Sequence, residues 1–199
     1  MDADRVLQRS FDFGGNHLAL DFVNTVSGRP IYGRDDLGAP DDLFDWATAA
    51  GIVNHADRAP IDAANLAQFR AAVSLRENLY WVFGPIAGGE PPQSTALSFV
   101  TRRAAHALRS SEWTQRSSGF EPHWPQMSIE AIGSRLADEA MQLLRSPALS
   151  RVGSCAGCGW LFLDTSRAHS RRWCSMNACG VRDKMRRYHQ RRSTTMSPC

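Results

Sequence analysis

Apolar residues recur at helical spacing over much of the first 150 positions. The clearest case is the segment 62–83, which stops at Gly84-Pro85, a pair that ends helices. Its apolar positions repeat every three or four residues: Leu66, Phe69, Val73, Leu79 and Val82. The same spacing predicts helices over 94–110 and 128–145 and shorter ones over 16–26 and 41–50.

Between these helices lie segments rich in Gly, Pro and Ser, which are predicted to be loops: 27–40, 84–93 and 110–127. No apolar and polar alternation typical of a strand is evident in this part of the chain. Four tryptophans, Trp46, Trp81, Trp113 and Trp124, are expected to pack in its core. The pattern therefore predicts an α-helical domain over residues 1–150.

The composition changes at residues 146–150, and residues 151–199 are predicted to form a separate module. A short apolar strand, Gly159–Leu163, is expected to pair with a return strand at Arg171–Trp173. A helix from Met176 to Arg191 should follow. Its apolar stripe is expected to pack on the hairpin: Ala178, Val181, Met185 and Tyr188.

Four of the five cysteines form two close pairs, Cys155 with Cys158 and Cys174 with Cys179. Four thiolates complete the tetrahedral coordination of Zn²⁺ and leave no open position for a water, so the site is predicted to be structural, with one Zn²⁺ as cofactor. The alternatives are a disulfide or buried apolar thiols. Cys199 is given no role. The predicted fold class is mainly α, with a helical N-terminal domain and a small treble-clef-like four-cysteine zinc finger made of a β-hairpin and a helix.

Charge divides the chain more sharply than its net value of +3 indicates. Residues 1–150 carry 13 Arg against 18 Asp and Glu, a net −5, whereas residues 151–199 carry 10 Arg and Lys against two Asp, a net +8. Four thiolates with one bound Zn²⁺ lower the net charge of residues 151–199 by two, to about +6. Such a field attracts polyanions. The alternative is a solvated basic face.

The predicted nucleic-acid contacts are the basic residues of the finger and its helix: Arg171, Arg172, Arg182, Lys184, Arg186, Arg187, Arg191 and Arg192. On the helix they form two flanks beside the apolar stripe. Arg182, Arg186 and His189 make one, and the other is Lys184, Arg187 and Arg191.

Several protein classes are disfavoured by the sequence. No apolar run is long enough to cross a bilayer and no signal segment precedes residue 10, so a soluble, cytoplasmic protein is expected. Phosphate-binding, metalloprotease, serine-hydrolase and dinucleotide-binding motifs are absent from the sequence. We therefore expect no enzymatic activity.

A group of polar residues in the N-terminal domain forms a candidate effector site. His17, Asp21 and Asn24 share one face of the helix predicted over 16–26, with Asn16 beside them, and Arg76 could clamp an anionic ligand. In the structural alternative, Asp21 pairs with Arg76 or caps a helix and His17 is a satisfied hydrogen-bonding residue.

Two stretches of the chain resemble known families. The segments Cys155-x-x-Cys158-Gly-Trp-Leu-Phe-Leu-Asp164 and Trp173-Cys174-Ser-Met-x-x-Cys179-Gly-x-Arg182 resemble the CGNR zinc finger. The segment Gly15-Asn-His-Leu-Ala-Leu-Asp-Phe-Val-Asn-Thr25, with Trp46 and Leu75-Arg-Glu77, resembles the ABATE domain that accompanies it. The motif's Asn is Val181 here, which we interpret as extra packing.

The resemblance implies a transcriptional regulator with a regulatory domain before a DNA-binding finger. Our leading hypothesis is a zinc-dependent DNA-binding regulator whose N-terminal domain senses a ligand or partner and which could act as a homodimer. The alternatives are an RNA-binding protein and an adaptor whose basic module docks an acidic partner.

Overall fold

The computed structural model describes residues 11–29, 33–54, 63–117, 119–125 and 128–195. Within these ranges, the side chains of residues 63 and 192–195 are outside the description. The predictions for the Arg192 side chain and for Cys199 therefore lie outside the described residues. Among the described residues, no helix combines the length and the apolar character that a membrane crossing requires.

Six α-helices account for most of the described chain. Their bounds are α1 Leu18–Val23, α2 Pro40–Ala49, α3 Ala63–Ala87, α4 Ser94–Arg109, α5 Ile129–Arg145 and α6 Val181–Thr195. The first five lie where the apolar spacing predicts helices, which confirms those predictions. The side chain of Ser128 caps α5 by accepting a hydrogen bond from Ala131 N at 3.1 Å.

Helix α3 passes the point at which we predicted its end. Gly84 and Pro85 lie inside the helix, which continues to Ala87. Pro85 has no N–H to donate to the carbonyl of Trp81 four residues earlier. The N–H of Gln93, which lies outside the helix, donates to that carbonyl instead at 3.3 Å, so the carbonyl of Trp81 still has a hydrogen-bond partner.

One hydrophobic core is enclosed by the first five helices, with α3, α4 and α5 packed on one another. Its largest fully buried side chains include Trp46, Phe22, Phe44 and Phe83. Trp124 is also buried, and its indole N–H donates to the carbonyl of Ala107 at 2.9 Å. The expectation that Trp81 packs in the core is wrong, because 48% of it is exposed.

The segment predicted as a loop over 110–127 contains a β-hairpin instead. Strands β1 (Glu112–Arg116) and β2 (Gly119–His123) are antiparallel, with Arg116 opposite Gly119. The sequence does not indicate these strands because neither face of the hairpin is deeply buried. Apolar and polar residues therefore do not alternate as they do in a strand with one face on the core. Trp113 lies on this hairpin and is 56% exposed, so its predicted burial is also wrong.

The finger begins with a hairpin whose partner strand differs from our prediction. After a 3₁₀ turn at Pro147–Arg151, strand β3 (Val152–Ser154) pairs antiparallel with β4 (Leu161–Leu163). The segment 171–173, predicted as the return strand, is not a strand. The Cys155–Cys158 turn joins β3 to β4 directly, and adjacent strands joined by a tight connection pair with each other.

Helix α6 presents its apolar stripe to solvent, so the prediction that this stripe packs on the hairpin is wrong. Val181, Met185 and Tyr188 are 48%, 50% and 53% exposed. A π-helical turn at Met176–Gly180 carries the buried Cys179 and leads directly into α6. The tether to the metal site sets the rotation of α6, and the largely buried Asp183 faces the finger in place of the stripe.

Candidate metal centre and basic helix

The four predicted zinc ligands converge at one point. The Sγ atoms of Cys155, Cys158, Cys174 and Cys179 all lie within 4.8 Å of one another. The Sγ of Cys174 lies 3.6 Å from the Sγ of Cys158 and 3.6 Å from that of Cys179. A Zn–S bond of about 2.3 Å in a tetrahedron places sulfur atoms about 3.8 Å apart. The cluster therefore fits one structural Zn²⁺.

The close packing of the thiols changes their acidity. Burial raises the pKa of Cys158 to about 11, and burial together with the neighbouring thiols raises the pKa of Cys174. Burial also acts to raise the pKa of Cys155, but hydrogen bonds from the backbone and from other cysteines outweigh it and bring the value to about 7. Four closely packed thiolates need a compensating cation, which Zn²⁺ supplies.

Two residues beside the ligands shape this cluster. The guanidinium of Arg182 donates to Cys179 Sγ at 3.1 Å and so compensates thiolate charge from outside the coordination sphere. At Gly157, a Cβ atom would lie 3.1 Å from Cys179 Cβ and 3.3 Å from its Sγ. The Cys155–Cys158 turn therefore needs a glycine at this position, because a side chain would prevent its close approach to the second ligand pair.

The loop from β4 to Cys174 is organised by Asp164. One carboxylate oxygen accepts the N–H of Ser166 at 2.8 Å and the other accepts the N–H of Arg171 at 2.9 Å. A hydrogen bond from the Ser166 side chain, followed by the bond from the Arg171 N–H, lowers the pKa of Asp164 to about 2. Asp-x-Ser is a turn signal, and a turn starting at Asp164 is consistent with the sequence, but the sequence did not show that Asp164 accepts two backbone N–H groups.

Replacing Asp164 with Asn is expected to speed the loss of zinc to a chelator. An amide offers one acceptor where the loop uses two, so one backbone N–H loses its partner. Because the folded pKa of Asp164 is lowered, its stabilisation is present above the ordinary carboxyl pKa and lost only as the pH falls towards about 2. Zinc release to excess chelator at neutral pH measures the effect.

The matched control is Asp12→Asn. Asp12 accepts a local backbone N–H from Gly14 at 2.8 Å outside the zinc loop. Equal release rates in wild type and Asp164→Asn would contradict the role of Asp164.

Arg171, one of the predicted nucleic-acid contacts, takes part in contacts within the protein. Its side chain donates to the carbonyls of Trp173, Gly14 and Cys174 at 3.0, 2.9 and 2.7 Å. Its guanidinium also lies 4.3 Å from the centre of the Phe162 ring. The group ties the finger loop to the start of the helical domain, and its nucleic-acid contact stays a prediction.

The other described basic residues of the prediction are exposed: Arg172, Arg182, Lys184, Arg186, Arg187 and Arg191. Asp183 pairs with both Arg186, at 2.6 Å, and Arg187, at 2.9 Å. It therefore links the two basic flanks on the side of α6 away from the apolar stripe. Each arginine keeps more than half of its side chain accessible.

The candidate effector residues are engaged with other groups of the protein. Asn16 and Asn24 bind the finger: Asn16 Nδ2 donates to the carbonyl of Leu163 at 3.1 Å, and Asn24 bonds both the N–H and the carbonyl of Leu161 at 2.9 and 2.8 Å. His17 caps α1 by accepting from Ala19 N at 3.2 Å, and burial lowers its pKa.

Asp21 and Arg76 do not pair with each other. Asp21 accepts the N–H of Gly15 at 2.7 Å, and burial raises its pKa to about 6. The buried Arg76 makes two bonds of 2.7 Å to Asp35, a residue that the sequence analysis did not select. These contacts agree with a structural role for the group, and its ligand role stays a prediction.

A helical domain joined to a four-cysteine finger with a basic helix defines a zinc-finger protein. The family ABATE, described as "Putative stress-induced transcription regulator", matches residues 16–147, and the CGNR zinc finger matches residues 151–192. The chain therefore belongs to the ABATE family and carries a CGNR zinc finger. The predicted division at residue 150 falls between the two matched ranges. The search of curated proteins gave no match.

Proposed function

We propose that this protein is a zinc-dependent DNA-binding transcriptional regulator whose helical domain senses a ligand or partner. The observation that carries the proposal is the exposed pair of basic flanks on α6, a helix that starts two residues after a zinc ligand. Membership of a family described as transcription regulators supports it. The reduced thiols of the site are suited to the cytoplasm.

The shape of α6 suits a DNA groove. Its 15 residues make a rod about 22 Å long, and an α-helix fits the major groove of B-DNA. Its two basic flanks could each meet one phosphate backbone, while the stripe between them faces the base edges. Val181, at the position of the motif's Asn, lies exposed on this stripe. Its side chain is suited to an apolar contact with the methyl group of a thymine in the major groove.

The helical domain is well placed to influence the finger. Val152 of β3 and Leu161 of β4 belong to the same buried cluster as the helices. Next to them, a shallow cavity of about 250 Å³ lies between α3 and the finger, lined by residues that include Trp81, Gly84 and Gly159. An effector bound there would contact both α3 and the residues that follow the Cys155–Cys158 turn. We propose binding and no catalysis, with a homodimer extending the short reach of one finger.

Replacing Lys184, Arg187 and Arg191 together with Gln is expected to weaken duplex DNA binding about tenfold or more. Each lost phosphate contact should also lower the salt slope of log K by about 0.9. Fluorescence anisotropy of the metal-loaded protein against duplex DNA, at several salt concentrations, measures both quantities. Chelation of the zinc should abolish binding.

The charge-matched control is the triple variant Arg70→Gln, Arg102→Gln and Arg109→Gln, which removes three exposed arginines from the helical domain. Equal losses in the two triple variants would show that only net charge matters and would contradict a groove-binding α6. Tighter binding to single-stranded RNA than to duplex DNA would replace the proposal with RNA recognition.

An acidic protein partner is a second candidate, favoured by the exposed apolar stripe between two basic flanks. Such a face suits an amphipathic acidic helix, whose apolar side covers Met185 and Tyr188. Under this alternative, Met185→Ser and Tyr188→Ser would abolish binding of a protein ligand. Binding to DNA would then be weak, independent of sequence and lost at moderate salt.

A further inference from the structure

The hairpin formed by β1 and β2 lies outside the finger and takes no part in the proposed DNA contacts. Apart from their contacts with each other, its strands make few contacts with the described helices. An isolated two-stranded hairpin is marginally stable in water, and unpaired strand edges are templates for further strands. In the described part of the chain, no third strand pairs with either edge.

One face of this hairpin is aromatic and open to solvent. The register places Trp113 opposite Pro122 and Gln115 opposite Phe120, so these four side chains share a face. Trp113 is 56% exposed and Phe120 is 65% exposed. The opposite face is polar, with Arg116 paired to Glu121 at 3.6 Å.

The two edges of the hairpin differ in their capacity to add a strand. Strand β2 contains Pro122, which has no N–H to donate, and the central residue of the strand is Glu121. An antiparallel pairing of β2 with a copy of itself about Glu121 would oppose two carboxylates. Strand β1 contains no proline and is free of this conflict.

We infer that β1 is a dimerisation edge, pairing antiparallel with β1 of a second copy of this chain about Thr114. This register puts Glu112 opposite Arg116 of the partner subunit, and the twofold axis repeats the ion pair on the other side. It also sets Trp113 opposite Gln115 of the partner subunit and diagonal to Trp113 of the partner subunit. The result is a four-stranded sheet with a continuous aromatic face.

The charge pattern makes this register testable. Glu112→Arg places like charges opposite each other in both symmetric pairs, and Arg116→Glu does the same with the opposite sign. Each variant should weaken the dimer about tenfold. Mixing the two variants restores complementarity, because Arg at 112 and Arg at 116 of one subunit then face Glu at 116 and Glu at 112 of the other.

The experiment is sedimentation velocity on the metal-loaded full chain without DNA, so that its outcome is independent of the DNA-binding proposal. We expect the wild type to dimerise at micromolar concentration, each variant alone to shift to monomer, and the equimolar mixture to form a heterodimer. Glu90→Arg, an exposed charge reversal outside the hairpin, should leave the dimer unchanged. Circular dichroism and zinc content confirm that each variant is folded.

Three outcomes would overturn the inference. One is a wild type that stays monomeric up to high micromolar concentration. The second is a dimer that both charge reversals leave intact, and the third is an equimolar mixture that fails to restore the dimer.

Discussion

Replacing Cys174 with Ala is expected to abolish zinc binding and to unfold the second half of the finger. Cys174 Sγ lies 3.6 Å from the Sγ atoms of Cys158 and Cys179, and its loss removes one of the four thiolates that complete the zinc site. Structural zinc in small fingers contributes about 10 kcal/mol or more, which exceeds what the few buried apolar residues of this module supply. Metal stoichiometry should fall from one to near zero.

Unfolding in this variant should be confined to one region. Strands β3 and β4 are anchored in the helical core through Val152 and Leu161, so they should stay folded. Among the described residues, none from Asp164 through α6 belongs to the helical core, and polar contacts tie this segment to the helical domain, from Arg171 to Gly14 and from Asn16 to Thr165. Hydrogen exchange should therefore rise over 164–191 and stay low in α3 and α5.

Cys199→Ala is the matched control, because it removes a thiol that is not one of the four predicted ligands and should leave zinc content and exchange unchanged. Retention of one zinc per chain in Cys174→Ala, with normal protection of α6, would refute the four-cysteine assignment.

Replacing Asn24 with Ala is expected to destabilise the protein by about 2–4 kcal/mol, because the N–H and the carbonyl of Leu161 both lose a buried partner. For a chain of this size that corresponds to a fall in melting temperature of about 5–10 °C. The free energy of unfolding, from urea denaturation at neutral pH with zinc present, measures the loss.

Asn78→Ala is the control for this experiment. Asn78 is also a helix-associated asparagine, but its amide bonds only the carbonyl of Ser74 in its own helix at 2.8 Å. Its replacement should change the unfolding free energy by about 0.5 kcal/mol or less. If Asn24→Ala were equally neutral, its structural role would be contradicted and the effector interpretation of Asn24 would regain support.

Features encoded by local spacing were predictable from this sequence. The zinc ligands form pairs separated by two and four residues, a spacing typical of a four-cysteine zinc site. The five helices of the N-terminal domain follow from apolar repeats that a 3.6-residue period places on one face. The β1–β2 hairpin was missed because its exposed aromatic residues carry no core-facing signal.

The sequence by itself determined the zinc cluster, the helical positions and the basic character of α6, because each depends on residues close together in the chain. Tertiary structure decided the rest. Asn24 and Leu161 are 137 residues apart, and only the packing of the finger on α1 shows that this polar group holds the two parts together. The outward rotation of the α6 stripe likewise depends on how Cys179 ties the helix to the metal site, a constraint that helical periodicity does not contain.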